Sequence, residues 1–229
     1  MLEFRCWSCI CLDKSAIILA GGSSHGFDSD KGLLELNGKP LINHVIDAVK
    51  DIVDEIIVVT DSQERADAYA KVVSSQINFV IDAFESEGPL VGALTGLEAA
   101  GGEYSAILPF DSPFIVPEVL TLLFDCCVGR AADVPRSPDM ECKPLHSVYH
   151  TKQALQAAKD AVAENELEVQ AIVERLRGVR YMSTMVIEQL DPDLKTFFTV
   201  NTLLDLRKAA VMDKPRKTSK TKPQYNRKR

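Results

Sequence analysis

Residues 16–31, AIILAGGSSHGFDSDK, constrain the fold of this chain more than any other stretch. An apolar run ends in Gly21 and Gly22, small polar residues follow, and Lys31 stands just ahead of Leu33 and Leu34. A run of this length and composition suits a strand buried on both faces, as the first strand of a parallel α/β sheet would be. Glycines let the chain turn sharply and bring its N–H groups against a bulky anion, and a lysine at the far end of the loop can neutralise that anion. The ligand that fits is the phosphate chain of a nucleotide. Neither GxxxxGK[ST] nor GxGxxG is present, which sets aside a Walker A loop and a Rossmann fingerprint.

The rest of the chain extends this start into an α/β pattern. Residues 41–53 carry apolar side chains at three and four spacing, an amphipathic helix entered at Pro40 after a tight turn at Asn37-Gly38. Residues 55–60, EIIVVT, predict the second strand, 61–73 a second helix, and 77–81 a third strand ending at Asp82. Ligands of an open parallel sheet collect beyond the carboxyl ends of its strands, so Thr60, Asp61 and Asp82 are expected to face the same crevice as the glycine pair. Gly88-Pro89-Leu90-Val91-Gly92 opens a helix running to about Ala100. Residues 104–109 then predict a fourth strand that runs into Asp111, held between Pro109 and Pro113. A carboxylate there is the first candidate for a magnesium ligand, since Mg²⁺ takes one or two carboxylates and completes its shell with phosphate oxygens and water.

After a helix over residues 116–127, short strands are expected at 132–135, 143–149 and 179–182, with amphipathic helices at 151–164 and 168–177. His146 is read as a structural strand histidine. Residues 197–202 predict a strand ending in Asn201, with Thr202 capping a last helix over 203–212.

The charge is unevenly spread: the net charge is −7, but residues 213–229 hold eight Lys or Arg against one Asp. An acidic body, residues 15–212, is therefore followed by a basic tail, residues 213–229, whose prolines and charges predict a disordered, solvated segment rather than a nucleic-acid arm. Residues 1–14 are expected to be an extension. Their Cys6, Cys9 and Cys11 lack the fourth ligand of a closed metal site, and adjacent Cys126 and Cys127 suit reduced thiols better than a disulfide framework. No apolar run is long enough to span a membrane and no signal peptide is recognisable, so a cytoplasmic protein is expected.

With Leu19-Ala20-Gly21-Gly22, Asp30-Lys31, LLELNGKPL, Gly88-Pro89-Leu90-Val91-Gly92, Asp111 with Pro113, Lys143-Pro144-Leu145 and Val200-Asn201-Thr202 in this order, the chain resembles the molybdenum cofactor guanylyltransferases. The resemblance covers residue 16 to about residue 210. It implies a Rossmann-like three-layer α/β/α nucleotidyltransferase fold with a mostly parallel mixed sheet. It also implies a Mg²⁺-dependent reaction that transfers GMP from GTP to the terminal phosphate of molybdenum-bearing molybdopterin, releasing pyrophosphate, with a molybdoenzyme or cofactor-insertion protein as recipient of the product. By the same resemblance, Leu19, Ala20, Gly21 and Gly22 line the nucleotide, Lys31 contacts its phosphates and Asp82 contacts the nucleotide. Asp111 binds both metal and nucleotide, and Asn201 lies on the acceptor side.

The phosphate loop departs from the family's Gly-Gly-x-Ser-x-Arg-Met-Gly-x-Asp-Lys. Gly26 stands where the arginine is expected and Asp28 where a glycine is, with His25 beside them. A lost guanidinium removes a bidentate phosphate donor, and Asp28 adds negative charge near a polyanion. Two alternatives therefore stay open: another nucleotidyltransferase of the same fold, moving CMP to the molybdenum cofactor or a nucleotide to a sugar phosphate or other small phosphorylated acid, or a non-catalytic cofactor-binding homologue.

Overall fold

The computed structural model describes residues 13–22, 30–73, 76–82 and 88–213. Cys6, Cys9, Cys11, His25, Gly26, Asp28 and most of the basic tail lie outside the described residues.

β1 (Lys14–Leu19) is buried on both faces, as its composition requires: Ala16 and Ile18 point into one apolar cluster and Ile17 into another. Next come the short hairpin strands β2 (Glu35–Leu36) and β3 (Lys39–Pro40), joined through Asn37 and Gly38 at φ 52° and 81°. Two successive positive-φ residues are what a two-residue hairpin turn needs. Pro40 precedes α1 (Leu41–Val49) as its cap residue rather than opening its first turn. β4 (Glu55–Thr60), α2 (Gln63–Ala70) and β5 (Asn78–Ile81) follow, with α2 shorter than expected because Ser62 caps it and accepts from the Arg65 N–H. α3 (Pro89–Ala99) leads to β6 (Tyr104–Pro109), and Gly96 lets α3 lie against β1, since a Cβ there would come within 2.3 Å of Ile17. The second half holds α4 (Pro117–Cys127), β7 (Ala132–Arg136), β8 (Ser147–His150), α5 (Thr151–Ala163), α6 (Gln170–Arg175), β9 (Val179–Ser183), the short α7 (Thr184–Ile187) and α8 (Leu203–Met212).

The main sheet has the order β5-β4-β1-β6-β8-β7-β9, and among the described residues β8 alone runs against the others. One face is covered by residues of α1 and α4, the other by residues of α3, α5 and α6, giving three layers and confirming the expected mostly parallel mixed sheet. No helix among the described residues is long and apolar enough to cross a membrane.

Two expected strands are corrected. Residues 197–202 do not join a sheet: Lys195–Phe197 is a 3-10 turn, and Val200 donates its N–H to the Asp111 carbonyl, a loop rather than a strand. Residues 143–149 become strand only at Ser147, because Pro144 opens a 3-10 turn through His146.

Asp133 in β7 is a burden the fold carries. Its side chain is fully buried, neither carboxylate oxygen receives a hydrogen bond, and the nearest cation is Arg180 Nε at 3.4 Å. Burial pushes its carboxyl up to about 6, the Arg180 charge opposing this. A folded-state value above the unfolded one favours the protonated form, so the stabilisation is complete below the unfolded value and is lost as pH rises through about 6. The shift corresponds to up to about 3 kcal/mol. Asp133→Asn, which carries no charge, is expected to raise the neutral-pH melting midpoint and to flatten the loss of stability between acid and neutral pH. A thermal melt at neutral pH checks the first, and urea titrations across that range check the second.

Candidate functional site

β1 sits where the strand order reverses, with β4 on one side and β6 on the other, and at such a point the loops leaving the carboxyl ends diverge and open a crevice. The exits of the strands are tied together: Ala20 donates its N–H to Val59 C=O at 2.8 Å, Phe110 to Leu19 C=O at 3.2 Å, and Asp82 to Thr60 C=O at 2.7 Å. Gly21 passes close to the β4 exit, where a Cβ would stand 3.4 Å from Asp61 N. Gly22 follows at φ 98°, a conformation that L side chains rarely adopt, and its N–H donates to Asp61 Oδ2 at 3.1 Å.

Further along the chain, the Asp30 carboxylate accepts from the Gly32 N–H at 2.8 Å and so starts a 3-10 turn at Lys31. Lys31 Nζ lies 2.5 Å from Asp111 Oδ2 and 3.1 Å from Asn201 Oδ1, and 5.6 Å from the centre of the Phe110 ring. Both partners of the Lys31–Asp111 pair are largely enclosed, each side chain 12% exposed, so water screens the charges only in part. Three segments far apart in sequence thus meet at one ion pair.

Each partner is held from behind. Asp111 is not a helix cap: α4 is preceded by Val116, without a side-chain cap. Its carbonyl accepts from Val200 N–H at 2.9 Å, which also sets the approach of Asn201. Thr202 and Asp205 then form a capping box that starts α8 as expected, and Asp205 Oδ2 accepts from the Asn201 N–H at 3.3 Å. Next to Asp111, buried Ser112 makes a 3.0 Å hydrogen bond with His146 Nε2. Burial pushes the His146 imidazole down to about 3, with the nearby Lys143 charge adding to the effect, so the ring stays neutral at physiological pH and braces the Asp111 loop. Phe197 packs edge-on against it at 5.5 Å.

Asp82 occupies a second wall, beneath α3. Its Oδ1 accepts from Thr95 Oγ1 at 3.3 Å. A Cβ on Gly92 would lie 3.6 Å from Leu19 Cδ2 and 3.9 Å from Asp82 Oδ2, so Gly92 keeps that wall shallow between the two side chains. Thr60 does not face the crevice: it is fully buried and its hydroxyl donates to Ser62 C=O at 3.1 Å. Among the described residues no cluster of three or more His, Cys, Asp or Glu could hold a metal, and Cys126, Cys127 and Cys142 are free thiols.

Sequence reading passed over Arg65 and Tyr69 of α2. Arg65 Nη1 lies 2.5 Å from Asp61 Oδ2 and donates to Gly22 C=O at 3.1 Å, while its Nε lies 2.7 Å from Asp30 Oδ2. Tyr69 donates its hydroxyl to Asp30 Oδ1 at 2.7 Å. The four-residue spacing of 61, 65 and 69, the last two one turn apart on α2 and the first just ahead of its cap, was the available signal.

The family model described as MobA-like NTP transferase domain matches residues 16–179. A protein of Methanosarcina mazei named probable molybdenum cofactor guanylyltransferase is 33% identical over 198 residues, covering 84% of this chain and 88% of that protein. The molybdenum cofactor guanylyltransferase of Desulfosudis oleivorans is 30% identical over 196 residues, covering 85% and 93%. In three dimensions, molybdopterin-guanine dinucleotide biosynthesis protein A from Archaeoglobus fulgidus superposes with a TM-score of 0.73 at 24% identity, over 86% of this chain and 97% of its own. That likeness establishes the nucleotidyltransferase-type fold. Because the sequence match takes in β1, the glycine turn, Lys31 and Asp111 and continues through β8, the chain belongs to the MobA-like NTP transferase domain family.

Proposed function

We propose that this protein transfers GMP from GTP to the terminal phosphate of molybdenum-bearing molybdopterin, forming the guanine dinucleotide and releasing pyrophosphate. The observation that carries this reading is the convergence of Lys31, Asp111 and Asn201 at the mouth of the crevice, beside the glycine turn. The names of the relatives agree with it.

In this reading Leu19, Ala20, Gly21 and Gly22 form the floor under the nucleotide, and Asp82 receives it on the α3 side. Lys31 turns from Asp111 to the phosphates when GTP enters. Asp111 is an enclosed carboxylate outside any cluster of three or more candidate ligands among the described residues, which suits an ion that takes its remaining ligands from phosphate and water, as Mg²⁺ does. Bound there, Mg²⁺ would supply charge neutralisation at the phosphates. An acceptor phosphate oxygen forms the new bond to the α-phosphorus while the bond to the bridging oxygen breaks and pyrophosphate carries away the electron pair. The nucleophile is already an anion, so no general base is needed, and alignment with charge compensation provides the acceleration. Asn201 lies on the acceptor side of Lys31. In this reading the reaction runs in the cytoplasm.

Pyrophosphate release, measured with each of the four NTPs with and without molybdenum-bearing molybdopterin, tests the proposal. Release with GTP that depends on acceptor is expected. Release that favours CTP or another acceptor would move the protein to a different transferase of the same fold, and cofactor binding without turnover would make it a binding homologue. Asn201→Ala is expected to raise the KM for the acceptor about tenfold, the loss of one or two hydrogen bonds to a charged group, while leaving GTP affinity within a few-fold. Initial-rate kinetics with each substrate varied in turn check this.

A further inference from the structure

The phosphate loop leaves the described chain at Gly22 and returns at Asp30, and both points are anchored to the same side chain. Arg65 places Nη1 on the Gly22 carbonyl and on Asp61, and Nε on Asp30. Asp61 in turn accepts from the Gly22 N–H through the oxygen that pairs with Arg65, so Gly22 is held through both its backbone groups. Asp30 uses its other oxygen for the Gly32 N–H and the Tyr69 hydroxyl. Gly32 is packed tightly on that tyrosine, since a Cβ there would meet the Tyr69 hydroxyl at 2.4 Å. Burial, together with the hydrogen bond to Asp30, pushes the Tyr69 phenol up, so it remains a donor throughout the physiological range. Lys31 therefore lies between two residues, Asp30 and Gly32, that are both fastened to α2.

We propose that Arg65 is a positioning residue for the phosphate-binding lysine: by holding Gly22, Asp61 and Asp30 on one guanidinium it sets where Lys31 projects into the crevice. The inference rests on the reading that a nucleoside triphosphate binds there. A planar fork with several donors can serve three acceptors at once, which a lysine ammonium at the same position cannot do in the same plane. Arg65 also supplies a positive charge to two carboxylates, Asp30 and Asp61, which otherwise accept from neutral donors such as the Gly32 N–H and Tyr69 hydroxyl for Asp30 and the Gly22 N–H for Asp61. With its side chain 18% exposed, it does so under limited solvent screening.

The test compares GTP and GMP binding by the full chain, by titration in the presence of Mg²⁺, for wild type, Arg65→Met and Arg65→Lys, with thermal melting of each. In this reading Lys31 acts on the β- and γ-phosphates, which GMP lacks. Arg65→Met is therefore expected to weaken GTP about 10- to 100-fold, the worth of one or two charge-assisted hydrogen bonds, and to weaken GMP less than about threefold. Arg65→Lys, which keeps the charge, is expected to weaken GTP by an intermediate factor and serves as the deciding variant should Arg65→Met fail to fold. GTP binding unchanged in the variants, or equal losses for GTP and GMP, would overturn the proposal. Wild type that fails to bind GTP would overturn the functional reading and this inference together, whereas wild-type binding with unaffected variants overturns the inference alone.

Discussion

Asp111→Asn is expected to leave a folded chain whose pyrophosphate release falls by at least about a thousandfold. The substitution keeps the size of the side chain and an oxygen that can accept from Lys31, so the meeting of Lys31, residue 111 and Asn201 survives in outline. The Val200 N–H bond to the residue 111 carbonyl is a backbone contact and is untouched. What disappears is the charge. An amide holds Mg²⁺ far more weakly than a carboxylate, and no other cluster of candidate ligands among the described residues takes over. The cost in stability is small, no more than about 2 kcal/mol, because Lys31 retains two oxygen partners. Raising Mg²⁺ is expected to recover part of the lost rate by mass action. Rates measured against Mg²⁺, alongside a melting curve, check the prediction; near-normal turnover at ordinary Mg²⁺ would remove Asp111 from the chemistry.

Strands buried on both faces were the most legible part of this fold. β1, β4 and β6 are continuous apolar runs, and the predicted limits of β4 and β6 coincide with the observed ones. α8 was equally readable, because Thr202 marks its start in the sequence, and the structure completes that cap with Asp205. Residues 197–202 misled for a definite reason: they have strand-like composition, yet their apolar side chains serve separate neighbours, Phe197 against His146 and Phe198 against Phe114. Composition reports burial, and burial alone does not distinguish a ladder from a strap. The reversed placement of β8 between β6 and β7 depends on long-range pairing that no local pattern encodes.

The candidate site divides in the same way. Gly21, Gly22, Lys31 and Asp111 stood out because their positions relative to strands are local facts. Asn201 rested on family resemblance, and its contact with Lys31 spans 170 positions. The Ser112–His146 brace was invisible and the Arg65 anchor only hinted at by its spacing, for a related reason: each joins elements whose adjacency follows from the sheet order. The candidate side chains could thus be picked out in sequence, whereas the residues packed around them emerged only with the fold.

Lys31→Ala should differ from Asp111→Asn in kind as well as in size. Removing the ammonium takes away the positive charge meant for the phosphates and leaves the Asp111 carboxylate facing them with its ion-pair partner gone. Both changes oppose a polyanion, so GTP affinity should fall together with turnover, the combined loss in kcat/KM reaching at least about a hundredfold to a thousandfold. The fold should hold, since Lys31 lies at the mouth of the crevice, in a short 3-10 turn whose start is set by Asp30 and whose packing on α2 is made by Gly32 and Tyr69. Added Mg²⁺ should restore little, because the missing charge belongs to the protein and the carboxylate proposed to hold the metal is intact. The pair of responses separates the two roles: activity of Asp111→Asn that climbs with Mg²⁺ and activity of Lys31→Ala that does not would assign the metal to one residue and the phosphates to the other. Equal recovery of both variants would show that the two side chains act as one electrostatic unit, and would remove the distinction between a metal-binding carboxylate and a phosphate-binding lysine.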